Sequence, residues 1–133
     1  MYQLKFSLGL QTTYTSKLTE ENQVYPRVCG KGNYHYETIQ VNIKMSGSYI
    51  FDSNPTIPLY GYIYRNYFDV SYPSKNLLTE SNFTCGNRFM IGSYLDANTV
   101  YILVVTTFVP NVRGSFTLLV TGPNNITLKQ ISK

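Results

Sequence analysis

The chain has 133 residues, a formal net charge of +4, thirteen tyrosines, no tryptophan and only 14% charged residues. That length supports one hydrophobic core. Helical periodicity is nowhere sustained and no apolar run approaches the roughly 20 residues that cross a bilayer. The eleven Lys and Arg are spread without a run, unlike the one-sided basic surface of a nucleic-acid binder.

The first element is YQLKFSLGL, residues 2–10. Its even positions, Tyr2, Leu4, Phe6, Leu8 and Leu10, are all apolar, and its odd positions are polar or small. Strict period-two alternation puts the five apolar side chains on one face of an extended strand. Full burial is worth about 1.5–3 kcal/mol for each large apolar side chain, so this face needs a groove. The N-terminus shows neither a basic n-region nor a continuous h-region, because a polar or small residue interrupts it at every second position. The residues that follow, QTTYTSKLTEENQV, are mostly polar and carry no such pattern. The expected organisation is an extended donor strand over 1–12, a polar tether over 13–30 and a sandwich domain over 31–133.

Within the domain, YHYETIQVNI (34–43) places Ile39, Val41 and Ile43 on one strand face, and SGSYIF (46–51) offers Tyr49 and Phe51. A Pro-punctuated loop leads to LYGYIYRNYF (59–68), a tyrosine-rich strand, and then to a long irregular loop, DVSYPSKNLLTESNFTCGN. RFMIGSYL (88–95), TVYILVVTTF (99–108), SFTLLVT (115–121) and a last strand ITLKQI close the chain. Short β-branched and aromatic runs split by Gly, Pro and Asn turns predict an all-β fold, a jelly-roll or Ig-like β-sandwich of about eight strands. The strand TVYILVVTTF is apolar on both faces. Its outer face therefore needs a cover, either a loop of the same chain or a neighbouring subunit.

Two cysteines, Cys29 and Cys85, form an even pair without a CxxC spacing. Two N-x-T sequons stand at Asn82 and Asn125. Together they predict an extracellular chain with a Cys29–Cys85 disulfide and N-linked glycans.

The segments YHYETIQVNIKMSGSYIFDSN, LYGYIYRNYFD and YILVVTTFVPNVRGSFTLLVTGP resemble a secreted β-sandwich repeat, common in tandem in proteins of small aquatic eukaryotes such as rotifers. That repeat is in turn similar to the bacterial pre-peptidase C-terminal domain. The resemblance covers about residues 34–131 and leaves residues 1–30 outside. It implies a non-catalytic adhesive or structural module. Members usually carry a calcium-suited acidic run before the strand that here begins near Phe89. This chain has LLTESNFTCGN instead, with Glu80 its single acid, so no metal or other cofactor is expected.

Catalytic chemistry finds no foothold. One histidine, His35, cannot build a multi-His metal site, and the seven acids are scattered. Tyr60, Tyr62 and Tyr64 share one strand face. They would either stack on sugar rings as an exposed ladder or fill the sandwich or an interface. The expectation is a structural subunit of an extracellular, glycosylated filament with no enzymatic activity. It would polymerise with itself, head to tail, through the N-terminal strand, with no nucleic acid and no membrane span. The alternative is a monomeric or tandem-repeat module for adhesion or carbohydrate binding.

Overall fold

Each strand alternates its side chains between two faces, and the inward apolar positions pack into a core between two sheets. The computed structural model describes residues 9–27, 32–53, 57–81 and 89–132. Among these the chain forms β1 (Leu10–Leu18), β2 (Val24–Tyr25), β3 (Tyr34–His35), β4 (Glu37–Asn42), β5 (Gly47–Ser53) and β6 (Leu59–Arg65). They are followed by β7 (Leu77–Glu80), β8 (Met90–Leu95), β9 (Val100–Thr107), β10 (Gly114–Gly122) and β11 (Thr127–Ser132). A four-stranded sheet, β1-β10-β5-β8, lies against a five-stranded sheet, β11-β4-β9-β6-β7, and β2 pairs with β3. All described pairings are antiparallel. The molecule is an all-β sandwich. No helix of the described residues is long and apolar enough to cross a membrane.

The core between the sheets holds Ile39 and Val41 of β4, Tyr49 and Phe51 of β5, Leu103 and Val105 of β9, and Phe116, Leu118 and Val120 of β10. These are the inward positions of each strand, at period two. Gly61 marks the tightest approach inside it. A Cβ there would stand 2.0 Å from Cε2 of Phe89, so the ring packs directly on the β6 backbone. Gly61→Ala is expected to lower stability by about 1–3 kcal/mol through overpacking, read as a lower denaturation midpoint at unchanged slope.

Two regions differ from expectation. Residues 10–18, read mostly as tether, form β1 and pair with β10 over nine positions, from Leu10↔Gly122 to Leu18↔Gly114. The described sandwich therefore includes residues 10–18 and does not start at residue 31. The reason hydropathy missed it is chemical: the inward positions of β1 are Thr12, Tyr14, Ser16 and Leu18, mostly polar. Threonine nonetheless favours strands through its branched Cβ. The long loop after β6 also contains a strand, β7, which pairs with Tyr62–Tyr64 of β6 across a register shift.

The two-faced strand β9 is covered by its own chain. Tyr25 of β2 and Tyr36, just after β3, lie with Phe68 over Tyr60, Tyr62, Tyr64, Ile102 and Val104 in a second buried cluster.

Candidate assembly site

The register of β1 fixes where its ladder on β10 ends. Leu10 stands opposite Gly122, the last residue of β10. Pro123 follows and has no N–H to continue a ladder. Just before Leu10, Gly9 adopts φ +69°, and a Cβ there would lie 2.9 Å from the Gly122 carbonyl oxygen. A left-handed residue takes the backbone off the line of β1, and only glycine fits that space. The β10 edge thus provides no ladder for the residues before Gly9. Leu10 itself is 47% exposed. Tyr2, Leu4, Phe6 and Leu8, the other members of the predicted assembly strand, lie outside the described residues.

The two ends of the described chain lie at opposite poles of the sandwich. Ile126 donates its N–H to Thr12 Oγ1 at 3.3 Å beside the start of β1. From there β11 runs to Ser132, opposite Thr38 of β4. The neighbouring Glu37 accepts a hydrogen bond from Ser16, near the end of β1.

Glu37 is the acid of the core. It is fully buried. Its carboxylate accepts hydrogen bonds from Ser16 Oγ at 2.6 Å and from the Tyr14 hydroxyl. These bonds latch the polar inward face of β1 to the opposite sheet. Burial raises the Glu37 carboxyl above its ordinary 4.5, against the opposing pull of the two hydroxyls. Burial, then the bond to Glu37, raises the Tyr14 phenol.

The sign of the effect on stability follows from this shift. The folded chain holds the Glu37 proton at pH values where the unfolded chain has lost it, so stability falls as pH rises from about 4.5 through the raised value. Glu37→Gln should remove that part of the pH dependence. It should leave the protein at least as stable at pH 7, because an amide and two hydroxyls can still hydrogen-bond without a buried charge. Thermal melts of both proteins from pH 4 to 8 check this, and parallel pH profiles would contradict it.

The tyrosines weighed as either a sugar-stacking ladder or packing are core residues. Tyr60, Tyr62 and Tyr64 are each at most 1% exposed, so no sugar ring reaches their faces. Of the alternatives weighed for them, packing is the one realised. Their hydroxyls go to partners at the cluster's edge: Tyr60 donates to Glu80, Tyr64 donates to the Pro73 carbonyl at 2.5 Å, and Tyr62 accepts from Arg27 at 3.1 Å. Burial and the Glu80 carboxylate both raise the Tyr60 phenol.

Arg27 was not singled out by the sequence, yet it organises this end of the cluster. Its guanidinium stacks 4.5 Å from the centre of the Tyr34 ring and 4.7 Å from that of Tyr60, and it donates to the Phe108 carbonyl at 2.8 Å. Stacked, desolvated contacts of this kind are worth about 1–2 kcal/mol each. His35 is half-buried, with Nδ1 3.0 Å from the Asn22 carbonyl oxygen.

Cys29, Cys85 and Asn82 lie outside the described residues; Asn125 is exposed in the turn before β11. The residues that flank the two cysteines converge on one stretch of β6. Arg27, two positions before Cys29, holds Tyr60 and Tyr62. Ser81, four positions before Cys85, donates its N–H to the Gly61 carbonyl at 2.8 Å and accepts the Gly61 N–H on its Oγ at 3.0 Å. Phe89, four positions after Cys85, packs on Gly61.

Among the described residues no group of three His, Cys, Asp or Glu side chains stands close enough to hold a metal ion. Set beside known proteins, the chain matches no family model and no curated protein sequence.

Proposed function

We propose that the protein is a structural subunit of an extracellular, glycosylated filament, in which residues 2–8 of one copy bury their apolar face in the next copy. The observation that carries this reading is the exhausted register at Leu10↔Gly122, together with the left-handed turn at Gly9. Residues 2–8, with four apolar side chains on one face, precede the point where the described β10 ladder ends. Strand-like addition to a second copy satisfies such a segment. Head-to-tail repetition of a contact that does not close on itself builds a fibre.

The opposite poles of β1 and β11 suit an axial arrangement. The exposed Asn125 lets a glycan there stand clear of the sheets and hinder edge-to-edge pairing. The even number of cysteines, the sequons and the resemblance to secreted repeats support the extracellular setting.

The same placement of β1 and β11 also favours a second reading, a module strung in a tandem adhesive array. Sizing of the native protein by sedimentation and negative-stain microscopy separates the two: polymers that disappear when residues 1–8 are removed support the filament, and a monomer at every concentration overturns it.

A further inference from the structure

We infer that the outer face of the four-stranded sheet is the acceptor surface, a furrow that takes residues 2–8 of a second copy. The inference rests on the filament reading and names the surface it needs.

The outward positions of this sheet line up in rows. Gly92, Ile50, Thr121 and Gln11 form one row across β8, β5, β10 and β1, and Met90, Asp52, Leu119 and Thr13 form the next. A sheet face turned to water normally carries polar side chains, but this one presents Ile50 at 48% exposure and Tyr94 at 60%, with Leu119 and Met90 half-buried in the row on the other side of Ile50. Gly92 leaves a gap in the surface, because a Cβ there would meet no atom within 4 Å.

Two hollows follow the β5–β10 seam. One of about 370 Å³ lies against Gly9, Ile50, Thr121 and Pro123, and one of about 270 Å³ lies against Thr13, Asp52 and Leu119. The outer face of the opposite sheet has its own cover in Tyr25, Tyr36 and Phe68. Among the described residues nothing equivalent lies over this one.

The occupant follows from the chain that precedes Gly9. Seven residues in extended form reach about 23 Å, close to the length of the seven-residue β5 that floors the furrow. Alternation gives that segment one apolar side for the furrow, Tyr2, Leu4, Phe6 and Leu8, and one polar side, Gln3, Lys5 and Ser7, for water.

A second copy supplies it better than the same copy does. Gly9 forms part of the furrow's own rim and is immediately followed by the first ladder pair of β1. Reversal onto the face takes at least a two-residue turn, plus a step of about 10 Å between packed layers. In the same copy that turn and step would consume Leu8, Ser7 and Phe6, leaving only Tyr2 and Leu4 to dock. A neighbour's segment can lay down all four.

Complementation between two full-length variants tests this. Phe6→Asp cripples the segment and leaves the furrow intact. Gly92→Glu blocks the furrow at a site where the fold has room for a side chain, and Ile50→Asp repeats the block at an already exposed position. Each variant alone should sediment as a monomer, and an equal mixture of Phe6→Asp with Gly92→Glu should give a 1:1 heterodimer that grows no further. Polymers formed by both Gly92→Glu and Ile50→Asp as readily as by wild type would place the acceptor elsewhere and overturn the inference. The filament reading would then stand as long as Phe6→Asp stays monomeric. A mixture that remains monomeric would overturn supply by a second copy.

Discussion

Deletion of residues 1–8 should convert the protein from a polymer to a monomer while leaving its melting temperature within a degree or two of wild type. The segment ends before the first ladder pair of β1, and the Glu37 latch and both buried clusters lie after it. The four apolar side chains it carries are each worth about 1.5–3 kcal/mol when buried, and association itself opposes part of that sum. Losing even half of the total weakens association by about a hundredfold or more, at 1.4 kcal/mol per factor of ten. Point changes grade the effect. Leu4→Asp or Phe6→Asp should abolish assembly, whereas Lys5→Ala on the opposite face should barely alter it. Equal effects of all three on sedimentation would show that the segment does not dock by one face, and fibres from the truncated chain would end the donor role.

Reduction of a Cys29–Cys85 bridge should destabilise the domain by about 4 kcal/mol, the chain-entropy value for a closed loop of roughly 57 residues. For a domain of this size that is roughly a 10–20 °C fall in melting temperature. The convergence of Arg27, Ser81 and Phe89 on Tyr60–Tyr62 of β6 supports the pairing. Two residues of chain beyond Arg27 reach about 7 Å, and four beyond Ser81 reach about 13 Å. Calorimetry with and without a reductant, beside a Cys29→Ser/Cys85→Ser variant, measures the effect. A non-reduced digest identifies the linked peptide. Superimposable melting curves would mean that the two thiols are not joined.

Strands with apolar inward positions were legible in the sequence. Ile39 and Val41, Tyr49 and Phe51, and the run from Tyr101 to Val105 all sit where alternation puts them. β1 and β7 were not legible, because their inward faces are justified by particular partners and not by hydropathy. Tyr14 and Ser16 of β1 answer a buried carboxylate 21 or more residues away, and Glu80 of β7 answers the Tyr60 hydroxyl. The tyrosine ladder was legible as a face and illegible as a site. Period-two spacing places Tyr60, Tyr62 and Tyr64 together but does not tell whether water or protein lies above them.

What the amino-acid order determines by itself is local: which residues extend, which side of each strand is oily, and that the first nine residues carry an apolar face of their own. Those properties follow from backbone geometry and side-chain chemistry within a few positions. Only the tertiary structure decided where faces meet. It closed the outer face of β9 with Tyr25, Tyr36 and Phe68, made Glu37 the anchor of an edge strand, and ended the β1 ladder at Gly122. Such outcomes depend on contacts between residues far apart in the chain, and strand register sets those contacts as a whole, since a slip of one residue would turn every side chain of a strand to the other side.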